Sequence, residues 1–145
     1  MHNGRNRPEV TPMQVLDHAR QAQEEWRPGV TTRMRVSAAS GARQLCVFEQ
    51  WCAPGKGAPT HLHAVEEVIT VLEGQAEVWV ADQEATLTGG QSMIVPAGVR
   101  HGFRNAAAGT LHVLVTLAAP IFEAAYDDAR EVPRRWLPET RAIPR

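Results

Sequence analysis

The alternation of hydrophobic and polar positions changes character along the chain. From Val30 onward, short runs rich in β-branched and aromatic residues are separated by stretches of turn-forming residues. There are eight such runs: VTTRMRV, RQLCVFEQW, EVITVLEG, AEVWVA, EATLT, QSMIVPAG, HGFRN and TLHVLVTLA. Because short strands at this spacing are typical of sandwiches and barrels, the pattern predicts an all-β antiparallel domain over residues 30–119.

Helical patterns flank this region on both sides. Thr11 is suited to cap a helix that continues to Trp26, which predicts an N-terminal extension with one short helix over residues 1–29. The stretch PIFEAAYDDAREV, residues 120–132, has apolar residues at helical spacing and a proline-rich sequence after it. We therefore expect a short C-terminal helix and an extended tail over residues 120–145.

Composition and charge narrow the classes of partner. The chain is 43% hydrophobic and 21% charged, and its net charge of -1 gives no electrostatic reason to expect nucleic acid or an anionic membrane. No apolar run approaches transmembrane length. Cys46 and Cys52 would lie about 20 Å apart along one strand, whereas a disulfide needs Cα atoms within about 7 Å. We expect one domain with free thiols in a reducing, cytoplasmic environment.

Histidines and a glutamate are concentrated in two glycine-framed stretches. In a strand, His61 and His63 project to the same face, and Glu67 has the same parity. A histidine pair alone often faces solvent, but the stretch GGQSMIVPAGVRHGFRN adds His101 just after a Pro-x-Gly turn. Imidazole nitrogens and a carboxylate oxygen are good ligands for Zn, Fe, Ni, Cu or Mn.

These two stretches resemble the two motifs of the cupin family. The first motif is Gly, five residues, His-x-His, three or four residues, Glu, six residues and Gly. The second is Gly, five residues, Pro-x-Gly, two residues, His, three residues and Asn. The matching positions are Gly55, His61, His63, Glu67 and Gly74 for the first motif, and Gly90, Pro96, Gly98, His101 and Asn105 for the second.

The resemblance implies a small antiparallel barrel of jelly-roll type with one metal site inside it. One divalent first-row metal ion would be held by His61, His63, Glu67 and His101, and its identity stays open among Fe, Mn, Ni, Zn and Cu. Such an ion would keep about two coordination positions for oxygen atoms of a small molecule or for dioxygen. Glu67 is also the candidate proton acceptor if it leaves the metal.

Other residues near the motifs allow more than one interpretation. Phe103 shares the parity of His101, so it either lines the cavity or belongs to the ordinary core. The orientation of His112 is ambiguous, and we do not predict it as a ligand. Either Glu49 or Gln50 is expected to face inward, because the two alternate on one strand.

Three classes of function fit these observations. The first is a metal-dependent oxygenase, similar to cupin dioxygenases, that acts on a small polar or aromatic molecule. The second is a non-redox isomerase, lyase or decarboxylase that stabilises an enolate, and the third is a module that binds or senses a small molecule. We also expect a homodimer, because an open-edged barrel can cover its edges by pairing, and residues 30–36 are the candidate segment for strand exchange.

Overall fold

The protein is described by a computed structural model that covers residues 12–138. The described residues form two antiparallel sheets that face each other. The strands are β1 (Gln23–Arg27), β2 (Val30–Val36), β3 (Cys46–Cys52), β4 (Gly57–Leu62), β5 (Glu67–Glu73), β6 (Gln75–Val80), β7 (Gln83–Thr88), β8 (Gln91–Val95), β9 (His101–Asn105), β10 (Leu111–Leu117), β11 (Phe122–Glu123), β12 (Ala125–Tyr126) and β13 (Arg134–Arg135).

Strand order gives the fold its jelly-roll character. One sheet has the order β1-β2-β3-β10-β5-β8 and the other has the order β12-β4-β9-β6-β7, while β11 and β13 form a separate two-stranded pair. Chain neighbours such as β3 and β4 therefore lie in different sheets. The predicted antiparallel barrel of jelly-roll type is confirmed, and strands β1 and β12 pair with it from outside residues 30–119.

The core lies between the two sheets because the strands alternate buried and partly exposed residues. Strand β10 is the clearest case: Leu111, Val113, Val115 and Leu117 are buried, and the residues between them are half-buried. This period of two is what a sheet with one inward face requires. The inward faces of the two sheets also enclose the four predicted metal ligands.

The predicted N-terminal helix is wrong for the described part of Thr11–Trp26; Thr11 itself lies outside the described residues. This part contains a short 3₁₀ helix, His18–Arg20, and then strand β1, which pairs with β2. Trp26 explains the difference, since its ring is buried 5.4 Å from Phe48. Burying an aromatic ring against the barrel stabilises the extended chain more than local helix propensity stabilises a helix.

The predicted C-terminal helix over residues 120–132 is also wrong. Phe122 and Ala124 are buried while Glu123 and Ala125 are exposed, so burial alternates with the period of a strand. The i, i+4 spacing of apolar residues fits either period, and tertiary packing decides between them. We call residues 119–136 the C-terminal strap, because this segment crosses the end of the barrel through β11, β12 and β13.

Two further sequence predictions concern the cysteines and membrane-spanning segments. Cys46 and Cys52 lie at the two ends of β3, and both are buried with free thiols, as predicted. Within residues 12–138 no helix has the length and apolar character needed to cross a membrane.

Candidate metal centre

The four predicted ligands come together between the two sheets. His61 is on β4, His63 follows it, Glu67 begins β5 and His101 begins β9. Each side chain is buried, and each offers one ligand atom within 4.8 Å of the others. His61 and His101 are direct neighbours in the β4–β9 pair, whereas Glu67 comes from the opposite sheet.

The turn of the second motif helps to place the first motif. The backbone N–H of Gly98 donates to the His63 carbonyl oxygen at 2.7 Å. Gly98 has a φ of 75°, in the left-handed region that favours glycine. Asn105 has a structural role, because its side-chain amide donates to the Cys52 carbonyl at 2.9 Å and to the Gly109 carbonyl at 2.7 Å. These motif residues therefore join segments that are distant in sequence.

Backbone carbonyls fix the orientation of all three imidazoles. The Nδ1 of His61 lies 2.6 Å from the Pro59 oxygen, and the Nδ1 of His101 lies 2.9 Å from the Val99 oxygen. The Nδ1 of His63 lies 2.7 Å from the oxygen of Glu123, which belongs to the C-terminal strap. A carbonyl oxygen only accepts, so each Nδ1 is the donor, and each neutral ring keeps its Nε2 lone pair free for a metal.

The polar atoms that face the centre of the site are close together but do not form hydrogen bonds of acceptable geometry with one another. The His63 Nε2 lies 2.9 Å from one Glu67 oxygen, and the His101 Nε2 lies 2.8 Å from the other. Nevertheless, both nitrogens and Glu67 Oε1 are buried without a hydrogen-bond partner of acceptable geometry among residues 12–138. Unpaired buried polar atoms are costly, and lone pairs that converge on a common point are what a cation requires. The four side chains therefore fit a divalent metal ion.

The electrostatic state of the site also suits metal binding. Burial and the neighbouring His101 lower the pKa of His61 to about 4, which keeps this ring neutral near pH 7. Burial acts to raise the pKa of Glu67, whereas the neighbouring imidazoles of His101 and His63 act to lower it. A cation bound among the four side chains would favour the ionised carboxylate. One charged oxygen ligand with three imidazoles is a common ligand set for first-row metals.

The cavity next to this centre is small and mainly apolar. Its lining includes His61 and Glu67 together with Phe48, Ile69, Phe103, Val115 and Phe122, and its polar members are Gln50, Arg27 and Tyr126. The volume open to the centre of a water molecule is only about 20 Å³. A space of about 10–15 Å³ holds one water. The closed cavity therefore has room for little beyond one or two waters.

The structure shows where the side chains point whose orientation the sequence left open. Phe103 is buried and lines the cavity, and Gln50 also faces inward, where its side-chain amide donates to Thr32 Oγ1 at 3.0 Å. Glu49 is buried on the opposite face of β3, where the Nε2 of His112 lies 3.0 Å from its carboxylate. His112 is thus outside the metal centre.

The sequence motifs do not indicate the cavity-lining residues that lie outside them. Trp26, Arg27, Phe122 and Tyr126 all line the cavity, yet they belong to segments that were predicted as flanking helices or turns. Three of the four are aromatic, which is equally typical of ordinary core residues, and Arg27 has no distinguishing signal in the sequence. The tertiary structure alone brings these segments to the site.

Comparison with known proteins agrees with this description. A family model described as "Cupin domain" matches residues 49–117. Auxin-binding protein 1 of Arabidopsis thaliana is 29% identical over 65% of this chain and 52% of its own length. Polyketide synthase CurC of Streptomyces cyaneus is 30% identical over 68% of this chain and 62% of its own length. The matched region thus spans about half to three-fifths of these curated relatives.

A solved structure supports the fold over a larger part of the chain. The polyketide cyclase RemF from Streptomyces resistomycificus superimposes with a TM-score of 0.66 and 22% identity, over 80% of this chain and 86% of that chain. At this identity the likeness concerns the fold. With both motifs intact, a matching family model and this architecture, the chain belongs to the cupin superfamily.

Proposed function

We propose that this protein is a mononuclear metal-dependent enzyme of the oxygenase type, acting on a small polar or aromatic molecule. His61, His63, Glu67 and His101 would hold one divalent first-row metal ion. When bound, such an ion supplies Lewis-acid chemistry and, if it is redox-active, oxygen chemistry. The observation that carries the proposal is the set of three histidines whose Nδ1 atoms are all committed to carbonyl oxygens, so that their Nε2 atoms converge on one point.

The composition of the cavity favours the oxygenase over non-redox chemistry. An isomerase or lyase needs a group that carries a proton to and from carbon. Apart from the proposed ligands, the polar residues of the lining are Gln50, Arg27 and Tyr126. Gln50 is not ionisable, and burial raises the pKa of Tyr126 to about 12. Glu67 is the remaining candidate base, and most of the wall around it is apolar.

Oxygen dependence tests this proposal directly. Protein loaded with Fe(II) is mixed with acetylacetone, catechol or pyruvate in an oxygen electrode, and products are followed by mass spectrometry. We expect one of these oxygen-donor probes to give oxygen uptake well above that of an Fe(II)-treated His101→Ala control. Product formation at an equal rate without oxygen would reject the oxygenase and favour the non-redox reaction.

A non-redox reaction is the second candidate because of one specific likeness. The 30% identical relative CurC is named a polyketide synthase, and poly-β-ketone chains offer pairs of oxygen atoms to a metal. The cavity is too small for such a chain in its closed form. Tight probe binding to metal-loaded protein with no turnover would favour the third function, a binding or sensing module, for which the likeness to an auxin-binding protein is a precedent. The expected homodimer stays a prediction.

A further inference from the structure

The C-terminal strap lies against the metal centre and lines part of the cavity beside it. Its Phe122 ring lies 5.4 Å from the ring of His63, and its Tyr126 ring lies 5.0 Å from the ring of His61. Only about 20 Å³ is left open to water beside them. An organic substrate therefore needs more space than this conformation offers beside the metal centre.

One part-buried ion pair fastens the strap to β1 beside the cavity. Arg27 of β1 binds Glu131 of the strap in a two-pronged contact, with Nε and Nη2 at 2.9 and 2.8 Å from the two carboxylate oxygens. The Arg27 and Glu131 side chains are 15% and 13% exposed. Arg27 also lines the cavity and donates to the Tyr126 hydroxyl at 3.3 Å. It therefore contacts both the fastening and the space that a substrate would occupy.

The backbone pairings of the strap near this ion pair are short. Strand β12 pairs with β4 over two residues, and β11 pairs with β13 over two residues. Between Tyr126 and β13, the strap residue Glu131 makes the buried contact with the barrel through Arg27. Loss of the Arg27–Glu131 ion pair therefore weakens the attachment of the loop that follows β12 to the barrel.

Two buried hydrogen-bond donors close to Arg27 and the strap lack an acceptor in the described part of the chain. The indole Nε1 of Trp26 and the Nε of Arg135 are buried with no hydrogen-bond partner within residues 12–138. The Arg135 guanidinium lies 4.1 Å from the centre of the Trp26 ring, and Trp26 lines the cavity beside Arg27. A buried donor without an acceptor costs about 1–3 kcal/mol. Because Trp26 lines the cavity, an oxyanion bound beside Arg27 is the type of ligand that would satisfy its indole N–H.

We propose that Arg27 is a specificity residue that binds the carboxylate of a small monoanionic substrate in place of the Glu131 carboxylate, and that this exchange releases the loop of the strap that follows β12, residues 127–132. The inference rests on the proposed function, since the other end of the substrate would be bound at the four-residue metal centre. An exchange of one carboxylate for another leaves the charge around Arg27 unchanged. A phosphate dianion would add a negative charge beside a mainly apolar cavity, which is costly.

Calorimetric titration of the metal-loaded protein with pyruvate tests this exchange. Arg27→Gln is expected to weaken pyruvate binding by about 10- to 100-fold, because a charge-assisted hydrogen bond is worth about 1.5–3 kcal/mol. Glu131→Gln is expected to tighten binding, because the competing carboxylate is gone. The matched control is Arg100→Gln, which breaks an exposed ion pair between the barrel and Asp127 of the strap and should leave the affinity unchanged.

Two further measurements separate recognition from a structural role. The neutral amide of pyruvate should bind equally to the wild-type protein and to Arg27→Gln. The double variant Arg27→Gln/Glu131→Gln, which leaves no unpaired buried charge, should bind pyruvate as weakly as Arg27→Gln alone. This variant keeps the test valid if the single Arg27 variant does not fold.

Several outcomes would overturn the inference. These are equal pyruvate affinity with and without Arg27, no pyruvate binding at millimolar concentration in either the wild-type protein or Glu131→Gln, or equal weakening in Glu131→Gln and Arg100→Gln. Inorganic phosphate that binds as tightly as pyruvate would reject the preference for a monoanion. Metal content of the same samples is measured in parallel: binding that needs Arg27 in metal-free protein would contradict the proposed function while this inference stands.

Discussion

Two buried glutamates in this protein have histidine neighbours, and they differ in what those neighbours can donate. Glu67, 3% exposed, lies inside the barrel with the Nε2 atoms of His63 and His101 within 2.9 Å. Glu49, 1% exposed, lies on the outward face of β3, close to the Nε2 of His112 at 3.0 Å and to Arg33 and Arg35.

The difference lies in the hydrogen bonds around each carboxylate. Arg35 and Arg33 donate to Glu49 at 2.6 and 3.2 Å, so its charge is compensated by protein groups alone. The histidines beside Glu67 have already committed their Nδ1 protons to backbone carbonyls, and in the neutral form they have none left to donate through Nε2. The lone pairs around Glu67 therefore suit a cation, whereas the donors around Glu49 already compensate its charge.

The largest expected difference between the two clusters is in metal content. Removal of a residue that only hydrogen-bonds to a metal ligand lowers metal affinity by about 10–100-fold. His101→Ala removes a ligand atom itself, so we expect it to lower metal affinity by more than this. His112→Ala, the matched change in the Glu49 cluster, should leave metal content as in the wild-type protein. Inductively coupled plasma mass spectrometry on protein purified without chelator measures both.

Equal metal loss in both variants would show that the comparison is wrong, because His112 would then contribute to the same site. Full metal retention in His101→Ala would remove this histidine from the ligand set.

As the pH falls from 7 to 4, the cluster around His61 should lose about 3 kcal/mol of the free energy of unfolding, which the cluster around Glu49 keeps. His61 has a folded pKa of about 4, below its usual 6.5, so the folded protein binds fewer protons at this residue. Its contribution is present above pH 6.5 and is lost as the pH falls towards 4. The Arg35, Arg33 and His112 contacts outweigh burial and lower the pKa of Glu49 to about 2, so its contribution is lost only between pH 4.5 and 2.

Urea unfolding of metal-free protein from pH 7 to 4, compared with His61→Gln, measures the first of these effects. The comparison with the variant is necessary because contacts with Glu67, acting against burial, raise the pKa of His63 and give a contribution of opposite sign. Parallel stability curves for the two proteins across this range would contradict the assignment to His61.

The smallest expected effect is a stability change without a change in metal content. Glu49→Gln keeps the shape of the side chain but removes the charge that two arginines share, and we expect a loss of about 2 kcal/mol in the free energy of unfolding. Glu77→Gln, which alters the exposed pair with Arg104, should cost no more than about 0.5 kcal/mol. A stability of Glu49→Gln equal to that of Glu77→Gln would mean that the outer cluster is energetically neutral.

The sequence predicted the strands and the four grouped residues because each depends on a local pattern. Strand alternation is visible residue by residue, and the two motifs place Glu67 and His101 at fixed distances from turns such as that at Gly98. The flanking segments were predicted incorrectly. Phe122 and Tyr126 are four residues apart, a spacing that fits a helix as well as a strand, and only contact with the barrel distinguishes the two.

The sequence by itself therefore determined an all-β antiparallel barrel and the set of residues that could hold a metal. Only the tertiary structure decided which nitrogen of each histidine faces the centre, because that depends on carbonyls such as the one of Glu123, far along the chain from His63. It also brought Arg27, which lines the cavity, together with Glu131 across a large sequence separation. Such contacts arise from packing between distant segments, and no local periodicity records them.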